Sequence, residues 1–349
     1  MNLSRSNVEE SEKIICEYLC SPTHFSAIRR SSLREGLIAD KIKSKISGNI
    51  LDAVHIGNSY DSIGDIKLKL EDGGLRFCEL KMSESTGRGT AFNITVKTFT
   101  ETGVFETEVL SWKEYMNQHD HTETVTELLE SYEYYPESIH DEYNTAYQKR
   151  KTLGRYIRDY VDDNAESVES ALECSDQSIQ QAAQIKTDIK SFDRSMKKSF
   201  LKYLDSQSIN SERLKAIALV LAGGYHKKKQ VVEFVDVVEE VSDMVGGINH
   251  VFDDYRVFYA HNVEEGKEGL TVKSGNQETA IDVLSDKSEW KFSFTDEDET
   301  VKTTSFSIGF VENDLFTPVY RISLNWKNVF QGIASPSVNG FKADFFKRL

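Results

Sequence analysis

The chain has 349 residues, of which 39% are hydrophobic and 28% charged, and its formal net charge at pH 7 is −15. This length accommodates roughly two or three domains, and the composition excludes a disordered or fibrous protein. There is no run of about 18 apolar residues, and the amino terminus is polar and acidic, so we expect neither a membrane span nor a secretory signal. Because four cysteines do not suggest a disulfide scaffold, we expect a cytoplasmic location.

Two helices and a set of strands are predicted first along the chain. Apolar residues at helical spacing predict helices over 7–19 and 32–46, and strand-like patterns follow over 50–56 and 66–70. The turn sequence Glu71-Asp72-Gly73-Gly74 leads into a further strand that ends at residue 81, which makes a β-hairpin. Residues 91–99 fit either a helix or a strand.

The remainder of the chain changes character twice. Residues 112–160 are predicted to be helical or loose, and residues 186–221 to be helical and basic. Between them, 162–184 is rich in Ser, Asp and Glu and is the best candidate for a linker. From residue 252, short runs of aromatic and β-branched residues between turns predict a β-rich end. The predicted class is α/β (α+β), with three parts: a core at 1–160, a linker at 161–185, and a helical and β-rich accessory region at 186–349.

Charge is distributed unevenly along the chain. Residues 117–178 carry 15 Asp and Glu against 5 Lys and Arg, whereas residues 186–229 carry 4 acidic residues against 11 basic ones. The second segment could contact a polyanion in spite of the overall negative charge, because phosphate contacts need Lys and Arg. Its candidate DNA-binding residues are Lys197, Lys198, Lys227, Lys228 and Lys229.

The hairpin carries the sharpest chemical pattern. Asp65 precedes its first strand and Glu79-Leu80-Lys81 ends its second, so that two carboxylates and an ammonium meet at a sheet edge. Side chains alternate along a strand, so Glu79 and Lys81 share one face while Leu80 and Cys78 face the core. Mg²⁺ suits such a site because it takes one or two protein carboxylates together with substrate phosphates, and Mn²⁺ is an alternative. Lys81 would orient the attacking water or stabilise the developing charge.

Asp65, a spacer of 13 residues and Glu79-Leu80-Lys81 resemble the core motif of the PD-(D/E)XK nuclease superfamily, which includes many type II restriction endonucleases. The resemblance covers roughly residues 32–105, with Gly64 where the motif has Pro. It implies a restriction-endonuclease-like mixed sheet flanked by helices, with Asp65 and Glu79 as metal ligands. The helix before the motif often carries a further catalytic acid in this superfamily, and Glu35 lies in the matching place, with Asp40 as the alternative.

Two further stretches resemble parts of restriction enzymes. Residues 87–93 are similar to a polar, glycine-bearing stretch that follows Glu-x-Lys in some of them, and its candidate DNA contacts are Arg88, Thr90 and Asn93. Residues 321–328 resemble a strand near the end of some of these enzymes. Base readout needs groups beyond the metal site, and we expect the helical middle and the β-rich end to supply them.

The resulting prediction is a Mg²⁺-dependent endodeoxyribonuclease that hydrolyses double-stranded DNA, as a type II restriction endonuclease does. Symmetric cutting of two strands favours a homodimer. Two alternatives stay open. One is a structure-specific repair, recombination or phage nuclease of the same fold. The other is a non-catalytic DNA-binding module in which the acidic pattern is accidental.

Other patterns have simpler interpretations. A second Glu-x-Lys, Glu289-Trp290-Lys291 after Asp282, would place its lysine in mid-strand instead of at an edge. The tyrosines of the acidic segment are expected to pack inside the protein: Tyr132, Tyr134 and Tyr135.

Cysteine and histidine clusters invite a metal interpretation. Cys16, Cys20 and His24 are spaced by four, but a structural zinc site normally needs four ligands, so the two cysteines are expected to pack on one face of the first helix. His119 and His121 could bind metal or belong to a catalytic site, and a solvated loop is the simpler expectation in so polar a stretch.

Overall fold

The computed structural model describes residues 5–20, 33–57, 64–83, 92–140, 143–223, 231, 235, 255–261, 273–274, 277–294, 304–326, 329, 336–342 and 345. These residues form helices and two five-stranded sheets, which confirms a mixed α+β chain. Within these ranges, no helix combines the length and the apolar character that crossing a membrane requires.

Among the described residues, a long run of helices separates the first four strands from the other six. In chain order the strands are β1 (Ile50–His55), β2 (Ile66–Leu70), β3 (Leu75–Ser83), β4 (Phe92–Thr95), β5 (Tyr255–His261), β6 (Lys273–Ser274), β7 (Trp290–Ser293), β8 (Ser305–Glu312), β9 (Leu315–Trp326) and β10 (Pro336–Lys342). The helices of the described part are α1 (Arg5–Cys20), α2 (Leu33–Lys45), α3 (Val96–Glu101), α4 (Trp112–Gln118), α5 (His121–Glu130), α6 (Glu137–His140), α7 (Ala146–Asn164), α8 (Val168–Leu172), α9 (Gln177–Asp205), α10 (Ser211–Ala222) and α11 (Gln277–Ser285). The helical middle and the β-rich end are as predicted.

The first sheet has the strand order β1-β2-β3-β5-β6. Strands β1, β2 and β3 are antiparallel, as the hairpin prediction requires, whereas β5 runs parallel to β3 and β6 antiparallel to β5. The sheet is therefore mixed, and a strand from far along the chain lies beside the Glu-x-Lys strand.

Helices α1 and α2 cover one face of this sheet. Tyr18 on α1 and Ile42 on α2 are fully buried, and they pack with the inward residues of β2. In β2 the alternation is complete: the apolar residues are buried and the lysines between them are exposed. Burying each large apolar side chain contributes about 1.5–3 kcal/mol, so this alternation fixes which face of the hairpin meets the helices.

The second sheet is antiparallel and has the order β4-β10-β9-β8-β7. Its largest core combines strand residues with α10 and the carboxyl-terminal part of α9. Phe99, Phe292 and Phe306 pack edge to face within that core. The segment 91–99, which fitted either structure, contains both: strand β4 leads directly into helix α3.

A third core lies among α5, α7, α8 and α9. Tyr132 and Tyr135 are buried in it as predicted, whereas Tyr134 is 42% exposed. Residues 161–185, predicted as a linker, are largely helical instead and bury Ala171 and Ala183 here. The Ser and Asp that suggested a linker are helix caps, because Ser167 begins α8 and Asp176 begins α9. The division of the chain into domains stays a prediction.

Candidate active site

Asp65 lies immediately before β2 and continues its pairing with β3. Its backbone N–H donates to the carbonyl of Cys78 at 2.8 Å. Its carboxylate atom Oδ2 accepts a hydrogen bond from the backbone N–H of Leu80, also at 2.8 Å. The structure therefore places the Asp65 carboxylate against the strand end formed by residues 79–81.

The side chains at the end of the Glu-x-Lys strand alternate between the two faces of the sheet, as expected. Cys78 and Leu80 are buried in the core beneath α1 and α2. Glu79 is only 3% exposed, although burial of a carboxylate is costly unless donors or a cation compensate it. The side chain of Lys81 lies outside the described part of the structure, and its catalytic role stays a prediction.

Gly64 determines how the chain enters Asp65. Its φ of +73° lies in the left-handed region, and a Cβ at this position would approach the carbonyl oxygen of Cys78 to 2.7 Å. Proline cannot adopt this conformation because its ring fixes φ near −65°. The replacement of the motif's Pro by Gly is therefore a requirement of this backbone.

Two residues outside the predicted set adjoin Asp65. Glu12 on α1 is 5% exposed, and its Oε2 lies 2.8 Å from Nε2 of His55 at the end of β1. A Cβ built on Gly57 would lie 3.0 Å from His55 Nε2, 3.1 Å from Asp65 Oδ1 and 3.4 Å from Glu12 Oε2. Three polar groups thus surround one small space that only the absent side chain of glycine leaves open.

This space is electrostatically negative. The pKa of Glu12 is raised above its ordinary value, first by burial and next by the charge of Asp65, with a smaller contribution from Glu79. The hydrogen bond with His55 opposes this rise. Carboxylates that repel each other in this way are a setting in which a bound cation relieves the repulsion.

The donor set suits a hard cation better than zinc. Within the described ranges, no three His, Cys, Asp or Glu side chains already form a coordination group. Mg²⁺ does not require one, because it retains several waters and commonly uses only one or two protein carboxylates. Glu12, Asp65 and Glu79 supply oxygen donors of this kind, so the residues present fit Mg²⁺.

Glu35, the predicted third acid, has a different environment. On α2 its Oε1 accepts a hydrogen bond from the Ser11 hydroxyl at 2.9 Å and pairs with Arg34 Nη2 at 2.6 Å. Its charge is therefore compensated locally, while Asp40, the alternative, is exposed on the same helix. Glu12 of α1, by contrast, lies with Asp65 around the space beside Gly57.

A signal for the two missed residues exists in the sequence. Glu12 lies three and four residues before Ile15 and Cys16, which places a carboxylate on the apolar face of α1. His55 lies two residues after Ala53, so it shares the inward face of β1. A polar residue on a face that is otherwise buried is informative, because it needs a partner.

The rival Glu-x-Lys does not form a comparable site. Glu289 and Lys291 are exposed on either side of buried Trp290, and Asp282 is exposed on helix α11 instead of on a neighbouring strand. These charges are solvated, as expected for one face of a half-buried strand.

The two cysteines pack as predicted. Cys16 is buried in the core, and burial raises the pKa of its thiol to about 12, which keeps it protonated and a poor metal ligand. The thiol of Cys20 donates to the carbonyl of Ala53 at 3.3 Å. His24 lies outside the described residues.

The solvated-loop expectation is wrong for His121. It begins α5, is fully buried and stacks on Phe192 at a ring separation of 5.0 Å, because it lies on the inward face of that helix. Burial lowers its pKa to about 3. His119 stacks on Tyr115, and its Nδ1 lies 2.7 Å from the Tyr115 carbonyl oxygen.

The predicted DNA-contact residues lie in different parts of the chain. Lys197 pairs with Asp193 at 2.7 Å within α9, so part of the basic segment serves internal charge compensation. Lys198 is half-buried on α9, and Asn93 lies in β4, which pairs with β10. The other candidates lie outside the described residues: Arg88, Thr90, Lys227, Lys228 and Lys229.

Comparisons with known proteins add no relative. A scan against protein-family models, a search of curated proteins and a search of solved structures each return no match to this chain.

Proposed function

We propose that this chain is a Mg²⁺-dependent endodeoxyribonuclease that hydrolyses phosphodiester bonds of double-stranded DNA. The observation that carries the proposal is the hydrogen bond from the Leu80 N–H to the Asp65 carboxylate, which holds that carboxylate against the strand end that carries Glu79. The resemblance of these residues to the PD-(D/E)XK motif gives the arrangement its nuclease interpretation. The negative space between Glu12, His55 and Asp65 supports a cation at this place.

The chain's own residues would divide the work as follows. Asp65 and Glu79 would bind the ion, and Glu12 would complete the acidic cluster from the side of α1. When bound, Mg²⁺ supplies a polarised phosphoryl oxygen and a more acidic water. Lys81 would orient the attacking water, and His55 would hold Glu12 in place through the 2.8 Å contact between their side chains. Phosphoryl transfer depends chiefly on this positioning and on charge neutralisation.

The decisive experiment is digestion of a long, sequenced DNA with Mg²⁺ or Mn²⁺, followed by reading of the fragment ends. Asp65→Asn should abolish cleavage, and Asp282→Asn, the same change at the exposed rival site, should leave it intact. If neither variant loses activity, the site assignment is wrong. DNA binding without cleavage by the unaltered chain would favour a non-catalytic module.

The fragment pattern separates the remaining alternatives. Discrete fragments from plain duplex DNA support a restriction endonuclease, whereas cleavage only of branched or single-stranded DNA supports a structure-specific nuclease of the same fold. A restriction enzyme that cuts both strands symmetrically should be a homodimer on its DNA, which sedimentation of the Asp65→Asn variant with a palindromic duplex measures.

A further inference from the structure

Two exposed lysines lie on one strand of the first sheet. In β2, the apolar residues at even positions face α1 and α2, while Lys67 and Lys69 are exposed on the opposite face. Within the described part of the chain, neither ammonium takes part in a salt bridge or a hydrogen bond. We refer to these two residues as the β2 lysine pair.

Three of the four cross-strand neighbours of the β2 lysine pair are apolar. The first lysine lies opposite Val54 on β1 and Phe77 on β3, both apolar. The second lies opposite Leu75 and Asp52, and the Asp52 carboxylate accepts a hydrogen bond at 2.9 Å from the following backbone N–H, that of Ala53. Two exposed positive charges therefore lie among mostly apolar cross-strand neighbours, with the carboxylate of Asp52 opposite Lys69, in a chain whose net charge is −15.

Protection of a sheet edge does not account for the β2 lysine pair. Lysines often shield an edge strand from pairing with another chain, but β2 lies between β1 and β3 and has no open edge. An acidic chain offers many carboxylates that could have paired with them. The charges are left available to a negative group outside the chain.

The β2 lysine pair also lies in line with the candidate active site. Lys67 and Lys69 follow Asp65 by two and four residues, which corresponds to steps of about 7 Å and about 13 Å along the strand. Because Lys67 pairs with Phe77, Glu79 is its diagonal neighbour on that face, at about 7–8 Å. Along β2, the lysines thus lead away from the end of the strand at which the candidate site lies.

We infer that the β2 lysine pair binds the phosphate backbone of duplex DNA on one side of the phosphate that is cleaved. This inference rests on the proposed function. Duplex DNA presents closely spaced phosphates, so a backbone whose cleaved phosphate lies at Asp65 and Glu79 has further phosphates within reach of Lys67 and Lys69. The lysines supply an attraction that the acidic cluster itself lacks.

The test measures how DNA binding depends on salt. The double variant Lys67→Gln/Lys69→Gln is compared with Lys45→Gln/Lys291→Gln, which removes two exposed lysines from α2 and β7. Both are made in the Asp65→Asn background to prevent cleavage, and a short fluorescent duplex is titrated at several salt concentrations. The slope of log K against log salt should become shallower by about two units in the β2 variant, since each phosphate contact contributes about 0.9, and should not change in the control.

Each outcome decides one claim. An unchanged slope in the β2 variant, an equal change in the control pair, or no DNA binding by the Asp65→Asn chain overturns the inference. Equal thermal midpoints of the variants establish that folding is not the cause. If the otherwise unaltered chain cuts DNA but the slope is unchanged, the proposed function stands without the inference. If the slope changes but the chain never cuts DNA, only the proposed function fails.

Discussion

Replacement of Gly64 by alanine should destabilise the protein by about 2–5 kcal/mol. Holding a non-glycine residue in the left-handed region costs about 1–2 kcal/mol. The new Cβ would also lie 2.7 Å from the Cys78 carbonyl oxygen, and forcing an extra methyl group into packed surroundings costs typically 1–3 kcal/mol. The contact is with backbone, so it cannot be relieved by rotation of a side chain.

Gly73→Ala is the matched control for this change. Gly73 also has a positive φ, +87°, but nothing lies within 4 Å of a Cβ built there, so only the backbone strain of about 1–2 kcal/mol is expected. The gain from reducing the freedom of the unfolded chain is common to both variants and cancels in the comparison. Urea unfolding measures both free energies. A Gly64→Ala cost no larger than that of Gly73→Ala would refute the reasoning.

Three further changes test other parts of the structure. Glu12→Gln should lower DNA cleavage by about 10–100-fold and raise the Mg²⁺ concentration that cleavage requires. Glu35→Gln should change both quantities little, because Arg34 already neutralises the Glu35 carboxylate. Below pH 6.5 the ring of His121 takes up a proton in the unfolded chain, whereas in the folded chain the buried ring stays neutral down to about pH 3. The unfolding free energy should therefore lose about 2 kcal/mol between pH 6.5 and pH 5, and His121→Leu should abolish that loss. Phe200→Ala, in the core of the second sheet, should cost about 3–5 kcal/mol in urea unfolding.

Local periodicity was sufficient to predict the hairpin and the two helices before it. In each of these elements the apolar spacing is determined by a single buried face, and the turn at 71–74 fixes the register. The approach of Asp65 to residues 79–81 follows from that register alone, which is why it could be derived from the sequence.

Three features were missed because their signals are shared by different structures. Ser and Asp are enriched both in linkers and at helix caps, and this ambiguity concealed the helices at 161–185. A single glutamate on a helix is usually solvated, so Glu12 did not stand out from its neighbours. The polar residues around His121 suggested a loop, whereas the burial of its ring depends on packing against α9.

The parallel pairing of β3 with β5 bears on how the chain is made. In this pairing Glu79 lies opposite Val257 and Lys81 opposite Tyr259, so the strand that flanks both residues is synthesised long after them. Contacts between such distant segments form slowly, because the intervening chain must first be closed into a loop. On the ribosome, the Glu-x-Lys strand keeps one side open until residues 255–261 emerge. Under the proposed function, a nascent chain would therefore lack a finished cutting site until that strand is in place.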